Sequence, residues 1–441
     1  MWGYIAKILL GVLVSFYFFP FEFTFLPGYN TKMIMAVLGL ALWGINLAKR
    51  RVFTSNSSLF TLSIIALLVS LAGLVSVIIN NTSDYTYASY IMSMWVWLGG
   101  AYFVIEVIRS VHKKLSVELM CHYLIGVCVA QCVIALMIDN YPAVKNFVDG
   151  FVATSGFIDQ SDLVNKDRMY GIGCALDVAG TRFAAVLIII SALIAKHRGS
   201  NIYRLYLYLF SFVVILIVGN MIARTTIVGA AIALCYWLIV NYPYSFSISR
   251  DSKGVFKHIL ILFAIVLPFM ISLYNNNPAV REDIRFAFEG FFSLAEKGEW
   301  DVSSNDRLMK MYVFPDNAKT WIIGDGYFDG PTNTDPYYVG PPMTGFYMWT
   351  DVGYLRFIFY FGLIGLAAFM YFFFKCGQAC AHKFRSYALL FWFLMLLNFI
   401  IWFKVSTDIF LVFALFLCIS REDNDEYEKI YENPVSDTLD I

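Results

Sequence analysis

The dominant feature of the sequence is a series of long apolar runs that recurs along almost its whole length. An α-helix needs about 20 apolar residues to cross the hydrocarbon core of a membrane. Of the 441 residues, 59% are hydrophobic and 15% are charged, whereas a soluble domain is about half apolar and a quarter charged. Because lipid offers the backbone no hydrogen-bond partners, these runs predict an all-α polytopic membrane protein.

The apolar runs predict about twelve transmembrane helices. They lie near 3–20, 32–48, 58–79, 87–108, 118–139, 182–195, 203–221, 225–241, 257–274, 351–374, 386–403 and 406–420. The first run ends in Phe-Phe-Pro instead of a small-residue cleavage site, so we interpret it as a retained helix and not as a signal peptide. The chain is thus divided into helices within 1–274, a large loop at 275–350, helices within 351–420, and a tail at 421–441.

Lysine and arginine are concentrated in alternate connections, which indicates the direction of the helices. One set of short connections holds Lys49, Arg50, Arg51, Arg109, Lys113, Lys114, Lys196, Arg198, Arg204, Arg250, Lys253, Lys257, Lys375, Lys383 and Arg385. The short connections on the other side hold only Lys32, Arg224 and Lys404. By the positive-inside rule, both termini are predicted to be cytoplasmic. Two long segments, 140–181 and the partly helical 275–350, are then predicted to face outward.

Charged side chains at the outer ends of the helices are the first functional candidates, because a charge there is costly unless it is paired or used. Arg224 follows a very short turn near Gly219 and Asn220 and is predicted to open the next helix, before Thr225 and Thr226. A guanidinium beside helix N–H groups and hydroxyls forms an anion site. An arginine that reaches up to lipid headgroups is the alternative interpretation.

The smaller outer segment ends in the sequence RMYGIGCALDVAGTRFAA. This stretch carries Arg168 and Arg182, and its glycines predict tight turns or close approach of the backbone. Asp177 lies between the two arginines and is expected to pair with one of them. A structural salt bridge and a substrate-binding role for these three residues are both open at this point.

The large loop carries two cations one helical turn apart, Arg307 and Lys310, in the sequence SNDRLMKMYVF. Ser304 or Asn305 is predicted to cap a helix over 306–314. An exposed, solvated helix face has the same composition as a binding surface. The two side chains are therefore candidates for either role.

Asp351 stands at the start of the tenth predicted helix, in TDVGYLRFIFYFGLIG. A helix that begins there places Tyr354 on the same face and directs Arg356, five residues on, elsewhere. A carboxylate at this depth is suited to act as a general base on a sugar hydroxyl. A helix cap formed by Thr350 or Asp351 is the alternative, and Asp408 in the last predicted helix has the same two interpretations.

Aromatic residues are frequent in the large loop, and Trp321 lies in its WIIGDGYF stretch. Tyrosine and tryptophan present a flat apolar face with a polar tip, which suits the ring of a sugar. The same residues are enriched where a membrane meets water. Composition alone does not choose between the two.

Together these features resemble bacterial O-antigen polymerases of the Wzy type, within a superfamily that also contains the O-antigen ligases. Three stretches carry the resemblance: RMYGIGCALDVAGTRFAA before the sixth predicted helix, ARTTIVGAAIAL at the eighth, and NDRLMKMYVF, WIIGDGYF and TDVGYLRFIFYFGLIGL around the large loop. The family architecture covers nearly the whole chain. The resemblance implies a GT-C-like fold in the bacterial inner (cytoplasmic) membrane, with the large loop in the periplasm.

The resemblance also implies a reaction. The donor is a growing glycan on undecaprenyl pyrophosphate, and the acceptor is the non-reducing end of another undecaprenyl-pyrophosphate-linked repeat unit. No metal or other cofactor is expected in the family, so arginines are expected to stabilise the departing pyrophosphate. By position, the resemblance carries over Arg224 and Arg307 as catalytic residues and Arg168 as a substrate-binding one, and Asp351 is the candidate base. The other predicted substrate-binding residues are Arg182, Asp177, Tyr354, Lys310 and Trp321.

Two other functions remain open. A ligase would pass the glycan to lipid A core, but ligases carry a histidine near the place of Asp351, and this chain has none between His258 and His382. A flippase for lipid-linked oligosaccharides would place its charges at mid-membrane depth. The expected partners are lipid-linked oligosaccharides, membrane lipid, and a chain-length regulator and a flippase of the same pathway; no basic tract indicates nucleic acid.

Overall fold

The computed structural model describes residues 2–50, 57–153, 169–197, 201–241, 250–422 and 424, and almost all regular structure in them is helical. The first helices are α1 (Trp2–Phe18), α2 (Thr31–Arg50), α3 (Ser57–Asn80), α4 (Tyr90–His112), α5 (Val117–Asn140), α6 (Pro142–Phe151) and α7 (Leu176–Lys196). They are followed by α8 (Ile202–Ile222), α9 (Thr226–Asn241) and α10 (Arg250–Asn276). Two short strands, β1 (Glu22–Phe23) and β2 (Val152–Ala153), pair antiparallel.

The rest of the chain consists of the large loop and the last apolar helices. The loop contains α11 (Pro278–Ala287), α12 (Glu289–Lys297), α13 (Ser303–Lys310), α14 (Ala318–Ile322), α15 (Pro331–Thr334) and a 3-10 turn (Tyr347–Trp349). It is followed by α16 (Gly353–Lys383), a 3-10 turn (Arg385–Tyr387), α17 (Ala388–Ile401) and α18 (Phe410–Cys418). The end of the apolar helices on which residues 277–352 pack is called the loop end below.

Several of these helices have the length and composition of membrane spans. Among the described residues, seven are long and apolar enough to cross a membrane: α2, α3, α4, α5, α7, α8 and α16. Shorter apolar helices occur at α1, α9, the second half of α10 and α17. Each predicted apolar run coincides with one of the helices, so the prediction of a nearly all-α polytopic membrane protein is confirmed. The number of about twelve spans stays a prediction.

Helix α7 is the centre of the bundle. Every residue from 179 to 195 is buried, and small residues let its neighbours approach closely. A Cβ on Gly229 of α9 would lie 2.2 Å from the Cα of Ala184. A Cβ on Gly180 would lie 2.8 Å from the Cβ of Ala223 in the α8–α9 turn. Small residues at helix contacts are how membrane helices gain packing energy where lipid supplies no hydrophobic driving force between them.

Helix α16 is interrupted near its loop end. Gly362 has φ 66 and ψ −172, a conformation outside the helix, and a left-handed φ that glycine adopts without strain. Backbone carbonyls just before the break accept hydrogen bonds from the loop. The N–H of Asp325 donates to the carbonyl of Phe359 at 2.6 Å, and the N–H of Gly326 donates to that of Tyr360 at 3.1 Å. The break therefore provides the attachment site for the segment that follows α14.

The same loop segment is held on its other side by residues that follow α3. The Thr82 hydroxyl donates to the carbonyl of Gly326 at 2.9 Å, and the buried Asp84 carboxylate accepts the N–H of Phe328 at 2.7 Å. Gly324 has φ +89, and a Cβ there would lie 2.5 Å from the carbonyl oxygen of Tyr360. The two glycines of WIIGDGYF are thus required by close backbone contact.

The helices of the loop differ from those predicted. The helix expected over 306–314 is α13, which begins earlier and ends at Lys310, and its N-cap position is Val302 without a side-chain cap bond. A cap by Ser304 or Asn305 is therefore wrong. The helix needs no side-chain cap of its own because Glu289 accepts the first N–H of α13 from outside the helix.

The contact between α7 and α9 can be tested by adding one methyl group. Gly229→Ala places a Cβ against the backbone of Ala184, so we expect a loss of about 1–3 kcal/mol through overpacking and a lower thermal unfolding temperature in detergent. Gly126→Ala in α5 is the matched control, because a Cβ there meets nothing within 4 Å. Equal unfolding temperatures for the two variants would contradict the described packing.

Candidate active site

Three segments that are remote in sequence meet at the loop end through polar side chains. Asp177 lies in the first turn of α7, and one of its oxygens accepts a hydrogen bond from Thr225 in the α8–α9 turn. Lys404, in the connection between α17 and α18, has its Nζ 3.4 Å from the same oxygen and 3.2 Å from the Thr225 hydroxyl. Below them, the hydroxyls of Thr181 and Thr407 are 2.9 Å apart.

Of the two pairings that the sequence allows for Asp177, the one with Arg182 does not occur. The two residues are five positions apart on α7, which turns their side chains about 140° away from each other. Arg182 instead lies over the ring of Phe19, which directly follows α1, 5.5 Å from its centroid. Arg168, the other predicted partner, lies outside the described residues.

Asp351 lies immediately before α16, with 24% of its side chain exposed. The pKa of Asp351 is raised to about 7, chiefly by burial and also by the nearby charge of Asp177, while Arg356, Lys404 and Arg307 oppose the rise. Burial disfavours the charged form of a carboxylate, whereas neighbouring cations favour it. The balance leaves a carboxylate that takes up and releases a proton near neutral pH, which general base catalysis requires.

The expected direction of Arg356 is wrong, and so is the expected helix start. Helix α16 begins at Gly353, and its N-cap position is Val352 rather than Thr350 or Asp351. Because Asp351 precedes the helix, helical periodicity does not govern its neighbours. Arg356 turns toward it, with Nη1 3.8 Å from a carboxylate oxygen of Asp351.

Tyr354 does not share a face with Asp351. Its hydroxyl donates to the carbonyl of Phe399 at 2.9 Å. Its ring packs edge-on against Trp402 and Phe403. The described contacts therefore give Tyr354 a supporting role between α16 and α17, and they do not add it to the group of charged side chains.

Arg356 joins the loop to the apolar helices, a role the sequence did not suggest. Only 5% of its side chain is exposed. Nη2 donates to Asp329 at 2.6 Å and to the carbonyl of Phe328 at 3.0 Å, and Nη1 donates to Ser406 at 2.7 Å. The guanidinium also stacks on the rings of Phe328 and Phe346, 3.6 and 4.4 Å from their centroids. A cation in so apolar a stretch of sequence is a signal that could have identified it.

Arg224 lies in the turn before α9, which begins at Thr226, and not at the start of the helix as predicted. Its Nη1 is 2.6 Å from an oxygen of Glu289, and its guanidinium lies 4.0 Å from the ring centroid of Phe286. The Glu289 carboxylate also accepts hydrogen bonds from the N–H and the hydroxyl of Ser303, at 3.2 and 3.0 Å. One carboxylate thus connects Arg224 to the first residue of α13.

The two cations predicted on the loop helix are exposed on α13. Arg307 lies within electrostatic reach of Asp351, where its positive charge favours the ionised carboxylate. Lys310 occupies the last position of the same helix. Arg307 therefore belongs with the charged group at the loop end, while the described contacts leave Lys310 as an exposed neighbour.

Trp321 packs within the loop. Its indole N–H donates to the carbonyl of Pro315 at 3.0 Å, and its ring stacks on Phe314 with centroids 6.4 Å apart. The only polar atom of the indole is thereby used by the chain itself. The described contacts favour a structural role for this predicted substrate-binding residue.

A cavity of about 980 Å³ lies between α7, α8, α9 and α10. Its walls are apolar, and Ile284, Phe288 and Phe292 of the loop cover its loop end. Phe288 is adjacent in sequence to Glu289, so this end of the cavity lies next to the Arg224–Glu289 pair. An apolar cavity of this size within membrane helices is suited to a hydrocarbon chain.

Comparisons with other proteins add no residue to this site. No family model, no curated protein and no solved structure matches the chain. Within the part of the chain that the structure describes, no group of three or more histidine, cysteine, aspartate or glutamate residues is placed to hold a metal ion. The site is therefore defined by its own geometry: a half-buried carboxylate, Asp351, among cations from several remote segments.

The contacts of Arg356 predict that this residue holds the loop in place. Arg356→Met removes the hydrogen bonds of a buried guanidinium to Asp329, Phe328 and Ser406, so we expect a loss of about 2–3 kcal/mol, since hydrogen bonds to charged groups contribute about 1.5–3 kcal/mol. We also expect faster cleavage of the loop in limited proteolysis. Arg285→Met is the matched control, because Arg285 and Glu296 form an exposed pair, and such pairs contribute little. Proteolysis at the same rate in both variants would contradict the role of Arg356.

Proposed function

We propose that this chain is a polysaccharide polymerase of the O-antigen polymerase type. It transfers a growing glycan from undecaprenyl pyrophosphate to the non-reducing end of an undecaprenyl-pyrophosphate-linked repeat unit. The observation that carries the proposal is the half-buried carboxylate of Asp351 among cations, at the same end of the helices as the Arg224–Glu289 pair next to the apolar cavity. This combination supplies a proton acceptor, positive charge for phosphate and room for a lipid chain.

The lipid-linked donor is supported by the position of Arg224. A polyprenyl chain in the cavity would place its pyrophosphate near the loop end, where the guanidinium of Arg224 lies. The guanidinium is held by Glu289, and phosphate oxygens compete for the same planar donor set. Donor binding then exchanges one oxyanion for another, and Glu289 keeps its hydrogen bonds to Ser303.

The reaction needs one bond to form and one to break. The acceptor hydroxyl oxygen attacks the anomeric carbon of the donor sugar, and its proton passes to the Asp351 carboxylate. The bond between the anomeric carbon and the phosphate oxygen breaks, and undecaprenyl pyrophosphate leaves with the electron pair. Arg224 and Arg307 stabilise the negative charge on this leaving group. The cations nearest to Asp351 keep the carboxylate available in its ionised form.

The proposal includes a location. The distribution of lysine and arginine supports cytoplasmic termini and a large loop on the periplasmic side of the inner membrane. Nucleotide-activated sugars and ATP stay in the cytoplasm, so a donor on this side must carry its own activation, which a lipid pyrophosphate does. A chain-length regulator and a flippase of the same pathway are the protein partners proposed with this function.

The closest alternative is a ligase, which would use the same donor and a different acceptor. The deletion strain distinguishes the two on one gel of extracted lipopolysaccharide. Loss of a polymerase leaves core capped by a single repeat, whereas loss of a ligase leaves bare core. A flippase is less well supported, because the charged group lies at one end of the helices and not halfway along them.

Complementation of the deletion strain tests the two arginines. We expect Arg224→Ala and Arg307→Ala to abolish long glycan chains while the protein still reaches the membrane, because each removes positive charge from the leaving group. Arg281→Ala is the matched control, since this exposed loop arginine bonds to the carbonyls of Tyr274 and Asn275. Normal ladders from both test variants would overturn the assigned roles.

Arg224 also forms an ion pair with Glu289. A second variant therefore distinguishes a role of Arg224 in holding the loop from its proposed role in catalysis. Glu289→Gln removes the ion pair but leaves the guanidinium in place. If Arg224 acts on phosphate, this variant keeps long chains that Arg224→Ala loses. Equal loss of long chains in the two variants would show that the pair serves only to hold the loop.

The proton-accepting role of Asp351 predicts a pH dependence. The pKa of Asp351 is raised to about 7, and the ionised form is the base, so activity should rise with pH through about 7 and fall below it. Asp351→Asn should lose activity about 100-fold or more, the usual scale of general base catalysis. The measurement is polymerisation by the purified protein with lipid-linked repeat units across pH 5–9, a range centred on about 7. Asp351→Asn with wild-type activity would contradict the role.

A further inference from the structure

A second, smaller cavity lies on the opposite face of α7 from Asp177. Its volume is about 80 Å³, and it opens between the α1–α2 connection, α4, α6 and the start of α7. The polar and aromatic side chains that line it are Glu22, Lys32, Trp97, Asp149, Tyr170 and Arg182. A cavity of this size exceeds the roughly 10–15 Å³ that one water needs, and it has room for a carboxylate.

Two cations line this cavity, the buried Arg182 and the half-buried Lys32. Arg182 is 6% exposed, and Lys32 has its Nζ 4.5 Å from the centroid of the Trp97 ring. In the part of the chain that the structure describes, neither side chain forms a hydrogen bond or a salt bridge with another residue; their close contacts are with aromatic rings. A buried or half-buried cation gains most from an anion placed beside it, so this pair is suited to bind an oxyanion.

The carboxylates around the cavity do not neutralise these cations directly. Glu22 accepts the N–H of Gly28 at 2.5 Å, and the exposed Asp149 accepts the hydroxyl of Tyr170 at 2.8 Å. Asp408 acts on the two cations only through longer-range electrostatics, and one of its oxygens accepts the N–H of Phe410 at 2.9 Å.

The arrangement of charge therefore has a direction. Arg182 lies at the buried side of the cavity and Asp149 at its exposed side, with Lys32 and Glu22 half-buried between them. A ligand that fits must place an oxyanion inward and hydrogen-bond donors outward. A sugar that bears a carboxylate has both groups, and carboxylate side chains accept hydrogen bonds from sugar hydroxyls. Aromatic side chains such as Trp97 and Tyr170 offer apolar surface to the sugar ring.

We propose that this cavity binds an acidic sugar, with the sugar carboxylate between Arg182 and Lys32 and the sugar hydroxyls toward Glu22 and Asp149. The site is separate from the charged group around Asp351, because Arg182 and Asp177 point to different sides of α7. The acidic-sugar site is tested by direct binding, so an absence of binding would not contradict the proposed polymerase reaction. Likewise, a negative result for the polymerase reaction would not contradict this site.

The experiment measures binding to the full chain, purified in detergent, by isothermal titration calorimetry. The probes are glucuronate, glucose as its uncharged counterpart, and inorganic phosphate. We expect saturable binding of glucuronate and none of glucose. Binding of phosphate without glucuronate would overturn the acidic sugar and indicate a phosphate group, such as a lipid headgroup. Binding of neither anion would overturn the site.

Substitution of the two cations tests whether they bind the glucuronate carboxylate. Arg182→Met and Lys32→Met should each weaken glucuronate binding at least about tenfold, which corresponds to about 1.4 kcal/mol. Lys145→Met is the matched control, because Lys145 is exposed on α6 beside the cavity. Unchanged affinity in both test variants would overturn the proposal. If Arg182→Met does not fold, Lys32→Met alone decides.

The unfolding temperature measured without ligand distinguishes an arginine that binds an anion from one that only contributes to packing. A buried cation that serves to bind an anion destabilises the protein when no ligand is bound. Arg182→Met should therefore unfold at the same temperature as the wild type or higher. Glucuronate should raise the unfolding temperature of the wild type and leave that of the variant unchanged. An arginine that serves packing alone would instead lower the unfolding temperature when replaced, with the effect of glucuronate unchanged. That second result would contradict the proposed site.

Discussion

The geometry of the loop end depends on a small set of backbone hydrogen bonds. The N–H groups of Asp325 and Gly326 donate to the carbonyls of Phe359 and Tyr360 at the break in α16. Backbone groups buried away from water need such partners. The carbonyls at the break in α16 and the N–H groups of the loop segment supply them to each other. Asp84 accepts the next free N–H from the opposite side. Once this segment is fixed, the chain that follows returns to Asp351 along a defined path.

The charged side chains at the loop end join separate segments of the chain, and some of them are also the candidate catalytic residues. Glu289 joins Arg224 to α13, and Arg356 joins Asp329 to the α17–α18 connection. Each of these residues belongs to a different segment, so a change at one contact is transmitted to the others. The same packing places Lys404 beside Asp177. Arg224, a proposed catalytic residue, therefore also takes part in attaching the loop, through Glu289.

The sequence was informative where local rules decide the structure. Apolar runs marked the helices because crossing lipid requires both length and apolarity, and Asp351 and Arg307 were singled out and lie within electrostatic reach of each other. It was uninformative where distant segments meet. Lys404 and Thr225 are 179 positions apart, and no periodicity links them. Arg356 was misjudged because helical geometry was extended back to Asp351, two residues before the helix begins.

The break in α16 has a consequence for the way the protein is made. The loop segment that contains Gly324 is synthesised before Phe359 and Tyr360, the residues that hold it. During translation, the segment can first meet its partners at the end of α3 and after it, Asn80, Thr82 and Asp84, while the N–H groups of Asp325 and Gly326 wait for α16. The loop therefore completes its folding only after α16 has been inserted. A nascent chain that stops short of this helix differs from the finished protein in a way that cellular proteases can recognise.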